Sequence, residues 1–142
     1  MRPDRFEAML RQAVPVDLQP ALEKALAWRP RLVGWKYTLR GAAEATAGGR
    51  KPALYGYRRD YMEMAARDYG LRLVGEAAVL PENEDIATLI NWADETGNHG
   101  VLGVCLGYPL GDVRVFVAYA RGRGQTLEAM PARLVIGTTT YG

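Results

Sequence analysis

The sequence predicts an α/β fold: one domain with a mostly parallel, four- or five-stranded sheet covered by helices and preceded by a pair of N-terminal helices. Three observations predict it. Beyond residue 53, short β-rich runs alternate with amphipathic runs of helical period. The run 101–108 is uncharged, as a strand buried on both faces would be. The chain has 142 residues, about one domain by the prior of roughly 100–200 residues each. Residues 1–30 form the expected helical pair and 31–142 the α/β core, within a single domain spanning 1–142.

Each element has a local reason. Phe6, Met9, Leu10 and Ala13 recur at helical spacing, and Asp4 with Glu7 makes an acidic capping box; Pro15 ends this first helix. Asp17 is placed to cap a second helix with the stripe Leu18, Leu22, Ala25 and Leu26, and Pro20 is tolerated in its first turn. Val33, Trp35, Tyr37 and Leu39 alternate with Gly34, Lys36, Thr38 and Arg40, the period of a strand with one apolar face. Residues 41–52 read as a loop with room for one helical turn over 42–47. A strand is expected at 54–58. Asp60 and Glu63 then open a helix carrying Met62, Ala65, Ala66 and Tyr69, which Gly70 closes. A strand follows at 71–75. Asn83 can cap a helix with the stripe Ile86, Leu89, Ile90 and Ala93, stopped by Gly97. The buried strand 101–108 leads into a helix over 109–120. A loop at 122–131 and a Val/Ile/Thr-rich strand at 134–141 complete the chain.

Composition excludes several chemistries. Apolar residues make up 49% and charged residues 24%, a globular balance. One cysteine rules out an internal disulfide, one histidine rules out a multi-histidine metal site within a chain, and the absence of serine rules out a serine nucleophile. No Gly-x-Gly-x-x-Gly or Gly-x4-Gly-Lys element exists. No metal and no cofactor is expected. The net charge of +2 is too small to imply a nucleic-acid or membrane partner. No apolar run reaches the ~18 residues of a membrane span, and the first ten residues lack the apolar core of a signal peptide. A reducing, cytoplasmic location is the expectation.

The candidate site residues are few. Lys36 lies between Trp35 and Tyr37, and Arg58 and Arg59 sit where a strand meets a capped helix, the end at which α/β sheets collect ligands. Tyr108 and Asp112 flank Pro109, with Asp112 in the first turn of the following helix. His99 and Cys105 are the single imidazole and the single thiol. On one extended strand they would stand roughly 20 Å apart, too far for a nucleophile–base pair. Cys105 is therefore expected to be structural; His99, in a turn after Gly97 and Asn98, reads as a surface or strand-cap residue, and its functional reading places it at the mouth of the sheet. Tyr55, Tyr57 and Tyr61 interleave with Arg58 and Arg59, the mixture that single-stranded nucleic-acid platforms use, but the charges are few.

The segment Leu106-Gly107-Tyr108-Pro109-Leu110-Gly111-Asp112-Val113 resembles the L-G-Y-P-x-E-D-V segment of a bacterial domain-of-unknown-function family. Leu32-Val33-Gly34-Trp35-Lys36 is similar to its L-A-G-x-K segment, and Tyr55-Gly56-Tyr57-Arg58 to its Y-x-Y-R strand end. The resemblance spans residues 31–120. Gly111 stands where that family has an acidic residue, and His99 aligns with its histidine only across a one-residue insertion. The resemblance implies no particular activity.

Three function classes follow. The first is a non-catalytic cytosolic binding module for a small anionic ligand or a protein partner, resting on the missing catalytic constellation and on Lys36, Arg58 and Arg59, with an oligomer left open. The second is an enzyme holding a phosphate- or carboxylate-bearing substrate on those cations, with Tyr108 or Asp112 moving a proton. Single-stranded nucleic-acid binding is the third.

Overall fold

The structure, a computed structural model, describes residues 3–28 and 38–123. Among the described residues, seven α-helices surround one small antiparallel sheet of three strands. This overturns the expected fold class, a mostly parallel sheet of four or five strands. Two local events account for the difference, one in the sheet and one at 101–108.

The N-terminal helices form as their periodicity demands. Helix α1 (Pro3–Ala13) buries Phe6 and Leu10. Its last carbonyls would lack partners, and the Gln19 side chain donates to those of Arg11 and Val14. A single 3-10 turn over Val16–Leu18 leads into α2 (Gln19–Leu26), which accepts Pro20 in its first turn and buries Ala21, Leu22 and Ala25. Helix α3 (Leu39–Ala47) is capped by the Thr38 side chain, which accepts from the Gly41 amide at 3.0 Å. Thr38, Leu39 and Arg40, read as the end of the first strand, thus cap and begin a helix; residues 33–37 lie outside the described residues, as does the expected strand at 134–141.

The sheet contains β1 (Leu54–Tyr55), β2 (Arg72–Val74) and β3 (Ala77–Val79) in the order β1-β3-β2. Helix α4 (Arg59–Tyr69) joins β1 to β2. Both of these strands run antiparallel to β3, so they are parallel to each other. The β-α-β signal in the sequence is thus a crossover with a third strand between its two arms. That strand exists because Gly75 adopts φ 57 and turns the chain back after Val74.

Helix α5 (Glu84–Thr96) packs on β3 and ends at Gly97, whose φ is 70. It leads into α6 (His99–Cys105), the second correction: the expected buried strand at 101–108 is a helix followed by its C-terminal turn. The Asn98 side chain starts α6 by accepting from the Val101 amide at 3.0 Å. The helix stops in a Schellman turn, with Gly107 N–H donating to Val104 and Tyr108 N–H to Gly103. Gly107 has φ 90, and Pro109 then forbids continuation. Every residue of α6 after His99 is buried, because α2, α5 and α7 (Leu110–Arg123) pack around it. Gly100 and Gly103 permit that closeness: a Cβ would fall 2.8 Å from Leu10 Cδ2 and 3.0 Å from Val113 Cγ2 respectively. No helix among the described residues is long and apolar enough to cross a membrane.

Candidate functional site

The residues singled out in the sequence occupy separate places. Arg58 precedes α4 and reaches Asp60 through Nε at 3.2 Å and Nη2 at 2.7 Å, while its guanidinium lies 4.7 Å from the Tyr61 ring centroid. This pairing holds the Asp60 carboxyl below the usual carboxylate range. Arg59 pairs with Glu63 at 3.1 Å and donates to the Gly75 carbonyl at 2.8 Å. Both arginines are largely exposed, so these are surface pairs of small energy. Lys36 lies outside the described residues. Tyr108 is buried just after α6. Asp112 is the third residue of α7 and makes no hydrogen bond or ion pair among the described residues; partial burial raises its pKa. Helix α4 packs on α3 and the sheet, whereas α7 packs on α6 and α1, and no hydrogen bond or ion pair joins Arg58 or Arg59 to Asp112.

Helix geometry also separates the thiol and the imidazole. His99 opens α6 and Cys105 closes it; six residues rise about 9 Å along a helix and turn about 240°. Cys105 is fully buried and not in a disulfide.

A residue with no signal in the sequence lies beneath the other end of α6. Lys51, within the stretch read as a loop, is buried, and its Nζ donates to the Leu106 carbonyl at 2.6 Å. Burial pushes its pKa down to about 7, against the opposing effect of nearby Cys105. The neighbouring Pro52 packs against Gly107, where a Cβ would lie 2.9 Å from Pro52 Cδ. The loop is thereby locked to the end of α6.

A concave feature lies at the start of α6. A half-open cleft of about 460 Å³ is bounded by α1, the end of α5, the start of α6, and α7. Phe6, Met9, Leu10, Trp92 and Val117 make its apolar wall, and Thr96, Asn98 and His99 its polar end. The His99 ring meets Phe116 edge-on, with centroids 6.0 Å apart and planes at 79°. No charged side chain lines the cleft among the described residues. Of the expected site residues that are described, His99 alone lines it. Its wall comes from the apolar stripe of α1, whose spacing announces a core face equally well, so the sequence carried no separate signal for it. No group of acids, histidines and cysteines arranged to hold a metal occurs among the described residues. No protein family, characterised protein or solved structure matches the chain.

Proposed function

We propose that the protein is a binding module for a small molecule held in the cleft between α1, α5, α6 and α7. One observation carries this reading: an apolar wall that includes Phe6 and Trp92 faces a polar end formed by Thr96, Asn98 and His99, around about 460 Å³. Small-molecule sites have this make-up and volumes of roughly 300–1,000 Å³. The concave shape favours the small-ligand half of the expected function over a protein partner. Arg58 and Arg59, on which the anionic-ligand module, the enzyme and the nucleic-acid platform all drew, are each engaged by a neighbouring carboxylate; none of the three gains support from them, and the binding reading rests on the cleft instead. A single thiol outside any disulfide suits a reducing, cytoplasmic setting.

The test is a nuclear magnetic resonance screen of small-molecule mixtures against labelled protein, with native mass spectrometry of freshly purified material. Hits are expected to shift the amides of residues 96–100 and to lose binding in Ala13→Phe. Ala13 lines the cleft and is exposed, so the larger ring fills the space without entering the core. Hits that map elsewhere, or bind Ala13→Phe unchanged, would refute the reading.

A further inference from the structure

We infer that the ligand of this cleft carries a carbonyl-type acceptor, a carboxylate or carboxamide, on an apolar or aromatic body, and that Asn98 and His99 receive that head group. The inference rests on the cleft being a ligand site and adds the chemical class. It follows from which polar atoms at the cleft are already used. Asn98 Oδ1 accepts from the Val101 amide at 3.0 Å, which fixes the amide orientation and leaves the Nδ2 group as a donor. That Nδ2 group makes no hydrogen bond among the described residues. The His99 ring makes none either and presents at least one N–H; its neighbour is the Phe116 ring. Thr96 spends its hydroxyl proton on the Trp92 carbonyl at 2.8 Å. The polar end therefore offers donors from two side chains, and no carboxylate lines the cleft among the described residues. An acceptor group meets two donor side chains there, whereas an ammonium meets no carboxylate among the described residues and would be dehydrated without a counter-charge. The wall of Phe6, Met9, Leu10, Trp92 and Val117 takes the body, with the unbranched Met9 adapting to its shape. The half-open mouth leaves a carboxylate partly hydrated, so it needs no buried cation.

Three probes with one body and different heads test this: 3-phenylpropionate, 3-phenylpropionamide and 3-phenylpropylamine, titrated into labelled protein. The acid and the amide are expected to bind about tenfold more tightly than the amine, the scale of one hydrogen bond to a charged or strongly polar group. Asn98→Asp separates recognition from folding. Aspartate caps a helix as well as asparagine, yet it replaces the donor by an acceptor. In that variant the preference should shrink or reverse at unchanged melting temperature. His99→Phe keeps an aromatic ring beside Phe116 and should weaken the acid and the amide while leaving the amine unchanged. Equal binding of all three probes, or an unchanged ranking in Asn98→Asp, would overturn the head-group assignment while leaving the cleft as a ligand site. No binding by any probe, with no shifts at residues 96–100, would remove the site and the inference with it.

Discussion

The Lys51 ammonium closes the C-terminal end of α6, donating from Nζ to the Leu106 carbonyl at 2.6 Å inside the protein. The negative end of the helix dipole favours the cation, and burial opposes it. Burial wins, pushing the group from 10.5 down to about 7. The sign of the pH dependence follows. Between those two values the unfolded chain keeps the proton and the folded chain releases it, so stability rises as pH rises from about 7 toward 10.5. Below about 7 both states are protonated and the cost of burying the charge is present in full. Urea denaturation at pH 7, 8 and 9 should show wild type gaining on the order of 1 kcal/mol or more over Lys51→Met across that range. Parallel pH profiles for the two proteins would mean that Lys51 does not lose its proton in the folded state.

Asn91 and Gly75 form a second lock, between α5 and the β2–β3 turn. The Asn91 amide accepts from the Glu76 N–H and donates to the Val74 and Ala87 carbonyls, each at 2.9 Å. A Cβ on Gly75 would stand 2.5 Å from Asn91 Oδ1, at a φ of 57 that side chains resist. Asn91→Ala removes the two hydrogen bonds that tie α5 to the turn and leaves the Glu76 N–H without its side-chain acceptor, and should cost about 1–3 kcal/mol in denaturant melts. Gly75→Ala should cost about 1–2 kcal/mol from the backbone alone, plus the displaced amide. In the Asn91→Ala background the second contribution disappears, so the double mutant should be more stable than the sum of the single losses predicts. Strict additivity would show that the amide moves aside freely.

Helix α5, which holds this lock, was legible in the sequence, as were the other amphipathic helices. Each of α1, α4 and α5 has one apolar face, and Gly70 and Gly97 stop α4 and α5 in the left-handed conformation that glycine favours. Helix α6 was not, because it is buried on all sides and so lacks the polar face that reveals a helical period. Val101 and Val104 then tip a short apolar run toward a strand reading. The signals that decide the matter lie outside the run: the Asn98 cap before it, and Gly107 followed by Pro109 after it. Strand β3 escaped notice because Ala77 and Ala78 have low strand propensity and pair only once the Gly75 turn has formed. The cleft needs residue 6 beside residue 99, which no local pattern encodes. Lys51 needs a long-range contact with Leu106, and a lysine in a small, polar stretch gives no sign of burial.

Cys105 should behave as an inert core thiol. It is fully buried at the last turn of α6, under the end that Lys51 and Pro52 cover. A disulfide reagent can reach it only through an opening of the structure, so labelling of native protein should be slower than labelling in denaturant by about the local opening constant. Labelling at the denatured rate under native conditions would show that this end of α6 is open to solvent.

Asp112 gives the clearest test of whether the Gly-Tyr-Pro turn supports a charged site. It sits in the first turn of α7, where exposed amides favour a carboxylate by about 0.3–1 kcal/mol. It has no cation beside it among the described residues, and partial burial raises its pKa above the ordinary 3.8. A raised acid pKa means that the folded chain holds a proton which the unfolded chain has already lost. Stability therefore falls as pH rises from 3.8 through the folded value, and above that value the burial penalty is fully expressed. Asp112→Asn keeps the shape and removes the charge, so at neutral pH the two effects oppose each other. Because desolvation is the larger, the variant should be slightly more stable, by less than about 1 kcal/mol. It should also lose part of the acid-side pH dependence. A loss above about 1.5 kcal/mol would reveal a cation paired with Asp112 and would restore the turn as part of a charged site.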